Sequence, residues 1–253
     1  MNLSGLYMLF YKEVLRFFKV ILQTVLAPIV TALLYLLVFA HVLEGRMTVF
    51  EGVPYTTFLI PGLIMMSNIQ NAFANSSSSF IQSKVTGNLV FILVAPLSAL
   101  ELFLAFVSAA TLRGLVVALG VYAVSLVLVP VPVHHAGIIV AFALLAGAIL
   151  GTIGLLAGIW AEKFDQLAVV QNFVIMPLSF LSGVFYSIHS LPPIWQALSR
   201  LNPFFYMIDG FRYGFFGASD IDPRFSFAVV GITLIALVGL ALAVLKSGYK
   251  LKE

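Results

Sequence analysis

The strongest constraint in this sequence is a succession of six apolar stretches, at about 21–43, 56–74, 100–127, 137–160, 166–186 and 225–245, with charged residues confined almost entirely to the segments between them. Each is about as long as the 20 or so mainly apolar residues that a helix needs to cross the hydrocarbon of a bilayer. Charged residues make up 9% of the chain and hydrophobic ones 62%, against roughly 25% and 45–50% in soluble proteins. So few charges cannot clothe a water-exposed surface of this size. The sequence therefore predicts an all-α polytopic membrane protein, with one transmembrane domain over residues 1–253.

The first residues follow a different pattern. Over residues 6–19, at about 100° per residue, Lys12, Arg16 and Lys19 fall within a sector of roughly 60°, while Leu6, Phe10, Val14, Phe17 and Phe18 gather on the other side. This predicts an amphipathic interfacial helix over residues 1–20, its basic stripe toward anionic headgroups of the membrane lipids. A signal peptide is not expected, because no cleavage site of small residues follows a short positive region.

The segments between the spans carry the polar information. Residues 75–84 read Asn-Ser-Ser-Ser-Ser-Phe-Ile-Gln-Ser-Lys, too polar for a span, and predict a separate short helix and turn at the membrane surface. Gly87-Asn88 suits a sharp reversal through a positive φ. Glu162, Lys163 and Asp165 form a tight charged loop between the fourth and fifth spans, and residues 187–224 are dense in Phe and Tyr, which predicts half-helices dipping into the membrane before the sixth span. In the fourth span Gly147, Gly151, Gly154 and Gly158 leave room for close helix approach.

Charge placement orients the chain. With both termini cytoplasmic, that side carries eight basic residues, Lys12, Arg16, Lys19, Lys84, Lys163, Lys246, Lys250 and Lys252, against four on the other, Arg46, Arg200, Arg212 and Arg224. This is the expected bias toward the inside.

Several chemistries are poorly supported. The chain has no Cys, so disulfides, thiolate metal sites and thiol catalysis are excluded, and no Gly-rich phosphate loop with a Lys, H-E-x-x-H or G-x-S-x-G pattern occurs. The adjacent His134 and His135 read more simply as interfacial polar residues than as metal ligands. No dense Lys/Arg patch for nucleic acid is present. Carboxylates are missing from the middle of every span, which argues against ion coupling, since such groups are retained in hydrocarbon for function. Arg113 is the one strong charge well inside a span; it reads either as a residue lining a path or contacting an anionic substrate, or as a structural residue paired to a carbonyl or snorkelling on its long stem. An ATP-driven exporter subunit, an ion-coupled secondary transporter and a non-transport assembly or signalling component are the readings to separate.

Four runs, in this order and spacing, resemble one family: Phe58-Leu59-Ile60-Pro61-Gly62-Leu63 entering the second span, Leu93-Val94-Ala95-Pro96, Gly183-Val184-Phe185-Tyr186-Ser187, and an outer segment holding Leu191-Pro192-Pro193-Ile194-Trp195 and Leu201-Asn202-Pro203-Phe204-Phe205-Tyr206-Met207-Ile208-Asp209-Gly210-Phe211-Arg212. The chain resembles the permease subunit of ABC transporters of the ABC-2 type, among them the YadH-like bacterial exporters. That resemblance implies a homodimer in the bacterial inner membrane bound to two copies of a separate ABC ATPase, with ATP and Mg held by that ATPase and no cofactor in this chain. It further implies a coupling element between the second and third spans, for which Lys84, Gly87 and Asn88 are candidates, and it makes Pro192, Pro193, Asn202, Pro203, Asp209 and Arg212 the family motif of the outer loop. Where the family usually has an acidic pair, this chain has Val90, Phe91 and Ile92. Lys84 and the Glu162, Lys163 and Asp165 loop then become the polar candidates for ATPase contact. Cargoes across such permeases range over lipid-linked glycans, polysaccharides, lipids and drugs, so the scaffold motifs leave the substrate undefined.

Overall fold

The computed structural model describes residues 2–43, 48–50 and 53–250; the loop holding Glu44, Arg46 and Glu51, together with Lys252 and Glu253, lies outside the described residues. The chain is almost wholly helical: α1 (Leu3–Phe18), α2 (Ile21–Leu43), α3 (Tyr55–Val85), α4 (Leu89–Val94), α5 (Ala99–Leu128), α6 (Ala136–Trp160), α7 (Phe164–Val170), α8 (Met176–Phe180), α9 (Pro193–Leu201), α10 (Pro203–Phe216) and α11 (Pro223–Ser247). A short antiparallel ribbon of β1 (Thr48–Phe50) and β2 (Val53–Pro54) precedes α3. Four helices, α2 over Ile21–Phe39, α5, α6 and α11, are long and apolar enough to cross a membrane.

Helix α3 is the axis of the bundle, held chiefly between α6 and α5. Its 31 residues give a length of about 46 Å at 1.5 Å per residue, roughly 15 Å more than the hydrocarbon thickness. The predicted surface helix over 75–84 is corrected here: those residues are the last turns of α3, with Asn75, Ser76, Ser77, Ser79, Phe80, Ile81 and Ser83 buried. Two of the hydroxyls bond back along the helix, Ser77 donating to the Phe73 carbonyl at 2.8 Å and Ser83 to the Ser79 carbonyl at 2.9 Å, and Ser76 donates across to the Phe106 carbonyl of α5 at 3.5 Å, while the Ser79 hydroxyl has no partner among the described residues. Short side chains of this kind let another helix come close.

That helix is α6, and its glycines are the means. Gly147 and Gly151 lie against Thr111 and Ala110 of α5, while Gly154 and Gly158 lie against Phe73, Ser77 and Phe80 of α3. A Cβ built on Gly154 would stand 2.4 Å from the Phe73 carbonyl oxygen, inside any real contact distance. Lipid-facing surfaces look different, since α2 turns Leu22, Leu26, Val30, Leu34 and Leu37 outward.

Two other boundaries move. The stretch expected as a span over 166–186 is helical from Phe164 to Phe180, with a π-helical turn at Gln171–Ile175 between α7 and α8, and the chain then turns tightly. At the N-terminus, α1 is capped by the Asn2 side chain accepting from the Gly5 N–H at 3.0 Å. The Asn2 backbone N–H donates to Glu101, whose carboxylate also closes a capping box with Ser98 at the start of α5. This fixes the start of α1 to the start of α5.

Candidate functional site

Three polar clusters stand out along the α3 axis, one at each end and one between. At its C-terminal end, α3 stops in a turn where the Gly87 N–H donates to the Lys84 carbonyl at 3.0 Å and Gly87 takes φ +74°, the left-handed conformation that a Cβ disfavours. Asn88 supports the turn by donating its side-chain amide to the Thr86 hydroxyl at 3.0 Å. Helix α4 follows, burying Leu89 near Leu9, Ile92 and Leu93 but leaving Phe91 76% and Val94 79% exposed.

Lys84 does not reach out to solvent from this turn. Its ammonium donates to the carbonyls of Ile159 and Ala161 at the end of α6, and Lys250 donates to the intervening Trp160 carbonyl at 3.3 Å. The two lysines thus satisfy carbonyls that a helix end leaves open, at the negative pole of its dipole. Lys250 also pairs with Glu162 at 2.7 Å. These groups, with Val85, Gly87, Leu89 and Val90, line an open cleft of roughly 300 Å³. The structure therefore brings Lys84, Gly87 and Glu162 together, adds Lys250, and sets the others apart. Asn88 borders a separate groove between α1 and α4, while Lys163 and Asp165 are exposed at the start of α7.

The Lys250 ammonium bonded to Glu162 holds the Glu162 carboxyl below its ordinary value, with neighbouring Lys84 and Lys163 adding to the effect. A depressed folded value means that the pair stabilises the closed loop at neutral pH and above the unfolded value, and that this contribution fades as pH falls through the folded value. Hydrogen exchange at residues 248–250 is expected to be flat from pH 8 to 6, after correction for intrinsic rates, and to quicken only in acid, below the ordinary glutamate value. In Glu162→Gln the same segment should exchange quickly throughout.

Midway along, α3 presents a polar face to α1 and α5. Arg113 of α5 donates to the Asn71 side chain at 3.3 Å. One turn further, Arg16 of α1 donates to the Asn75 carbonyl and side-chain oxygen at 2.8 and 2.9 Å and to Ser78 at 3.3 Å. Of the three basic residues expected to face headgroups, Lys12 and Lys19 are exposed, whereas Arg16 turns inward with the buried Glu13 as its ion-pair partner at 3.4 Å. A helical wheel shows which residues share a face but not which neighbour that face meets.

At the N-terminal end of α3, the segment over residues 187–224 folds into the bundle. Asn202 caps α10 by accepting from the Phe204 N–H at 3.0 Å and donates to the Leu178 carbonyl at 2.7 Å. Pro193 and Pro203 occupy first-turn positions of α9 and α10, where no amide hydrogen is needed, and Pro192 is the residue before α9. Arg212 is fully buried, donating to the Gly183 carbonyl at 2.7 Å with its guanidinium 3.8 Å from the centroid of the Phe58 ring. Asp209, also fully buried, accepts from the backbone N–H groups of Asp220 and Ile221 at 2.8 and 3.1 Å. Asp220 in turn accepts from Ser187 and Ile188. The motif is thus a structural knot in which the Nε and Nη1 atoms of Arg212 are buried without a hydrogen-bond partner among the described residues; it takes in Gly183 and Ser187 from the Gly183–Ser187 run, and also Asp220, which no sequence pattern singled out. His135 stacks on Tyr213, their ring centroids 5.5 Å apart, and its backbone N–H donates to the Gly214 carbonyl at 2.8 Å, a packing arrangement at the same end.

Residues 4–216 match the profile of the ABC-2 type transporter family. The chain is 40% identical over 243 residues to the "Inner membrane transport permease YadH" of Escherichia coli K12, covering 96% of this chain and 94% of that protein. The protein of the same name from Shigella flexneri is similar to the same degree. A shorter likeness, 34% over 82 residues, joins it to the "Capsule polysaccharide export inner-membrane protein CtrC" of Neisseria meningitidis serogroup B, spanning 32% of this chain and 30% of that one.

Proposed function

Because the chain belongs to the ABC-2 type transporter family, we propose that it is the membrane-spanning permease subunit of an ATP-driven exporter in the bacterial inner membrane. Helices α2, α3, α5, α6, α7 with α8, and α11 are its six spans, α1 lies at the cytoplasmic interface, and α9 and α10 dip into the membrane from the outside. Both termini are cytoplasmic in this arrangement, the whole of residues 1–253 serves as one domain, and two copies enclose the path. ATP and Mg belong to a separate ATPase, two copies of which bind the cytoplasmic end of the permease pair.

The observation that carries this reading is the turn at Gly87. It projects α4 from the end of α3 with Phe91 and Val94 open to solvent, on the side that the basic residues assign to the cytoplasm. An exposed apolar patch beside a bound ion pair suits a protein partner. With Lys84 engaged on α6, α4 offers the docking contacts and Lys84 transmits them to the bundle. Ion coupling gains no support from the one deeply buried carboxylate of α10, because Asp209 is occupied by two backbone amides.

The test is copurification with the ATPase and ATP-dependent export in proteoliposomes. A Cβ at Gly87 would meet nothing within 4 Å, so Gly87→Val strains only the backbone, by about 1–2 kcal/mol. Normal insertion with ATPase association and export reduced several-fold is the expected result, and Gly87→Asn, which tolerates positive φ, should retain most function. Failure of any ATPase to bind the unaltered chain would overturn the reading.

A further inference from the structure

Arg113 sits near the middle of α5 with no counter-charge of its own. Among the described residues no carboxylate lies within ion-pairing distance of it, and Glu13 of α1 is paired with Lys12 and Arg16. Among those residues the hydrogen bond of Arg113 goes to the neutral Asn71 side chain, and its buried Nε has no partner. Arg16 engages the same face of α3 one turn away, at Asn75, so two guanidiniums of like charge sit on successive turns. A cation held in hydrocarbon beside a second cation is costly unless something negative visits it. The face it points along is also the part of α3 that the fold leaves half covered, at Gln70, Asn71, Ala74 and Ser78, and its residues are mostly amides and hydroxyls where lipid-facing α2 and α11 present Leu and Ile.

We propose that this face is an acid-group site: Arg16 on Asn75 and Arg113 on Asn71 form two steps, roughly 6 Å apart along α3, that hand a phosphate- or carboxylate-bearing cargo from the interface toward the middle of the membrane. Arg16 already has Glu13, so it is the weaker, entry step; Arg113 lacks an anion and is the holding step. The fork of a guanidinium binds such groups through paired, charge-assisted hydrogen bonds. This rests on the permease reading for its purpose but not for its measurement, because binding needs no ATPase.

The full chain in nanodiscs of phosphatidylcholine, which carries no net charge, is titrated with a fluorescent dodecyl phosphate. Dodecyl maltoside, of the same chain length but uncharged, and inorganic phosphate serve as competitors. Saturable binding that Arg113→Gln weakens about tenfold or more, that Arg113→Lys largely keeps and that dodecyl maltoside does not compete would support the site. Competition by inorganic phosphate as well would place the acid group on a soluble cargo; competition by unlabelled dodecyl phosphate alone would place it on an amphiphile. Asn71→Asp supplies Arg113 with an internal anion and should weaken binding as much as Arg113→Gln while leaving the guanidinium in place, so loss of folding in one variant does not remove the test. Binding unchanged in both variants, or equal displacement by dodecyl maltoside, overturns the proposal. In that case copurification of the ATPase with the unaltered chain would still leave the permease reading standing.

Discussion

Replacing Arg212 by Ala is expected to cost about 3–5 kcal/mol, the usual penalty for removing one partner from a buried set of charges, and to leave little folded protein given a typical total stability of about 5–15 kcal/mol. The loss has three sources. The guanidinium gives up a charge-assisted bond to the Gly183 carbonyl and its seat on Phe58. Asp209 and Asp220, which interact electrostatically with it, lose a nearby cation while keeping their hydrogen bonds from the Asp220, Ile221 and Ile188 N–H groups and the Ser187 hydroxyl. A void the size of an arginine opens between α3, α10 and the turn after α8. Detergent-extracted yield and thermal unfolding should show the effect. Arg212→Met keeps the volume but not the charge and should recover part of the loss, and adding Asp209→Asn to Arg212→Ala should be less than additive because the two groups are coupled. Melting unchanged in Arg212→Ala would show that the guanidinium does not hold the outer segment down.

Gly154→Leu is expected to separate α6 from α3, at about 3 kcal/mol or more, the upper range for overpacking. The obstacle at this position is the backbone carbonyl of Phe73, 2.4 Å from where the Cβ must go, and backbone in the middle of a helix cannot swing aside as a side chain would. Gly239→Ala in α11 is the matched control. A Cβ there meets nothing within 4 Å, so the usual helix-interior gain of about 0.5–1 kcal/mol applies. Opposite signs for the two substitutions, read as thermal unfolding in the same detergent, would separate a packing requirement from a general intolerance of change. Equal effects would refute the close α3–α6 approach.

Four helices were legible because lipid writes itself into sequence. The expected stretches 21–43, 100–127, 137–160 and 225–245 match α2, α5, α6 and α11 to within about two residues. Helix α3 was legible only in its first part, since hydropathy reports exposure to lipid and α3 is clothed by protein, so its serines and asparagines carried no sign that they continue a helix. The tail of the fifth stretch misled in the opposite sense, because Leu181 to Tyr186 are mainly apolar yet form a turn. Gly87 declared itself through the Gly-Asn pair, and Arg113 through its isolation in an apolar run. The missing counter-ion of Arg113, the engagement of Lys84 and Lys250 on one helix end, and the inclusion of Asp220 in the outer knot depend on residues distant in sequence. No local spacing encodes them.

The burial of α3 has a consequence for how the protein is made. A segment carrying Ser67, Asn68, Gln70, Asn71, Asn75 and the serines that follow gains little on entering lipid alone, and polar groups left without partners there are expensive. α3 leaves the ribosome after α1 and α2, and the α6 glycines that will receive it, Gly154 and Gly158, follow its end by about seventy residues, by order along the chain. Biogenesis is therefore a matter of waiting: α3 depends on the insertion machinery for shelter until α5 and α6 arrive. A lesion in α6 would accordingly be seen by membrane proteolysis as an orphaned α3, and the chain would be judged at its least lipid-like helix.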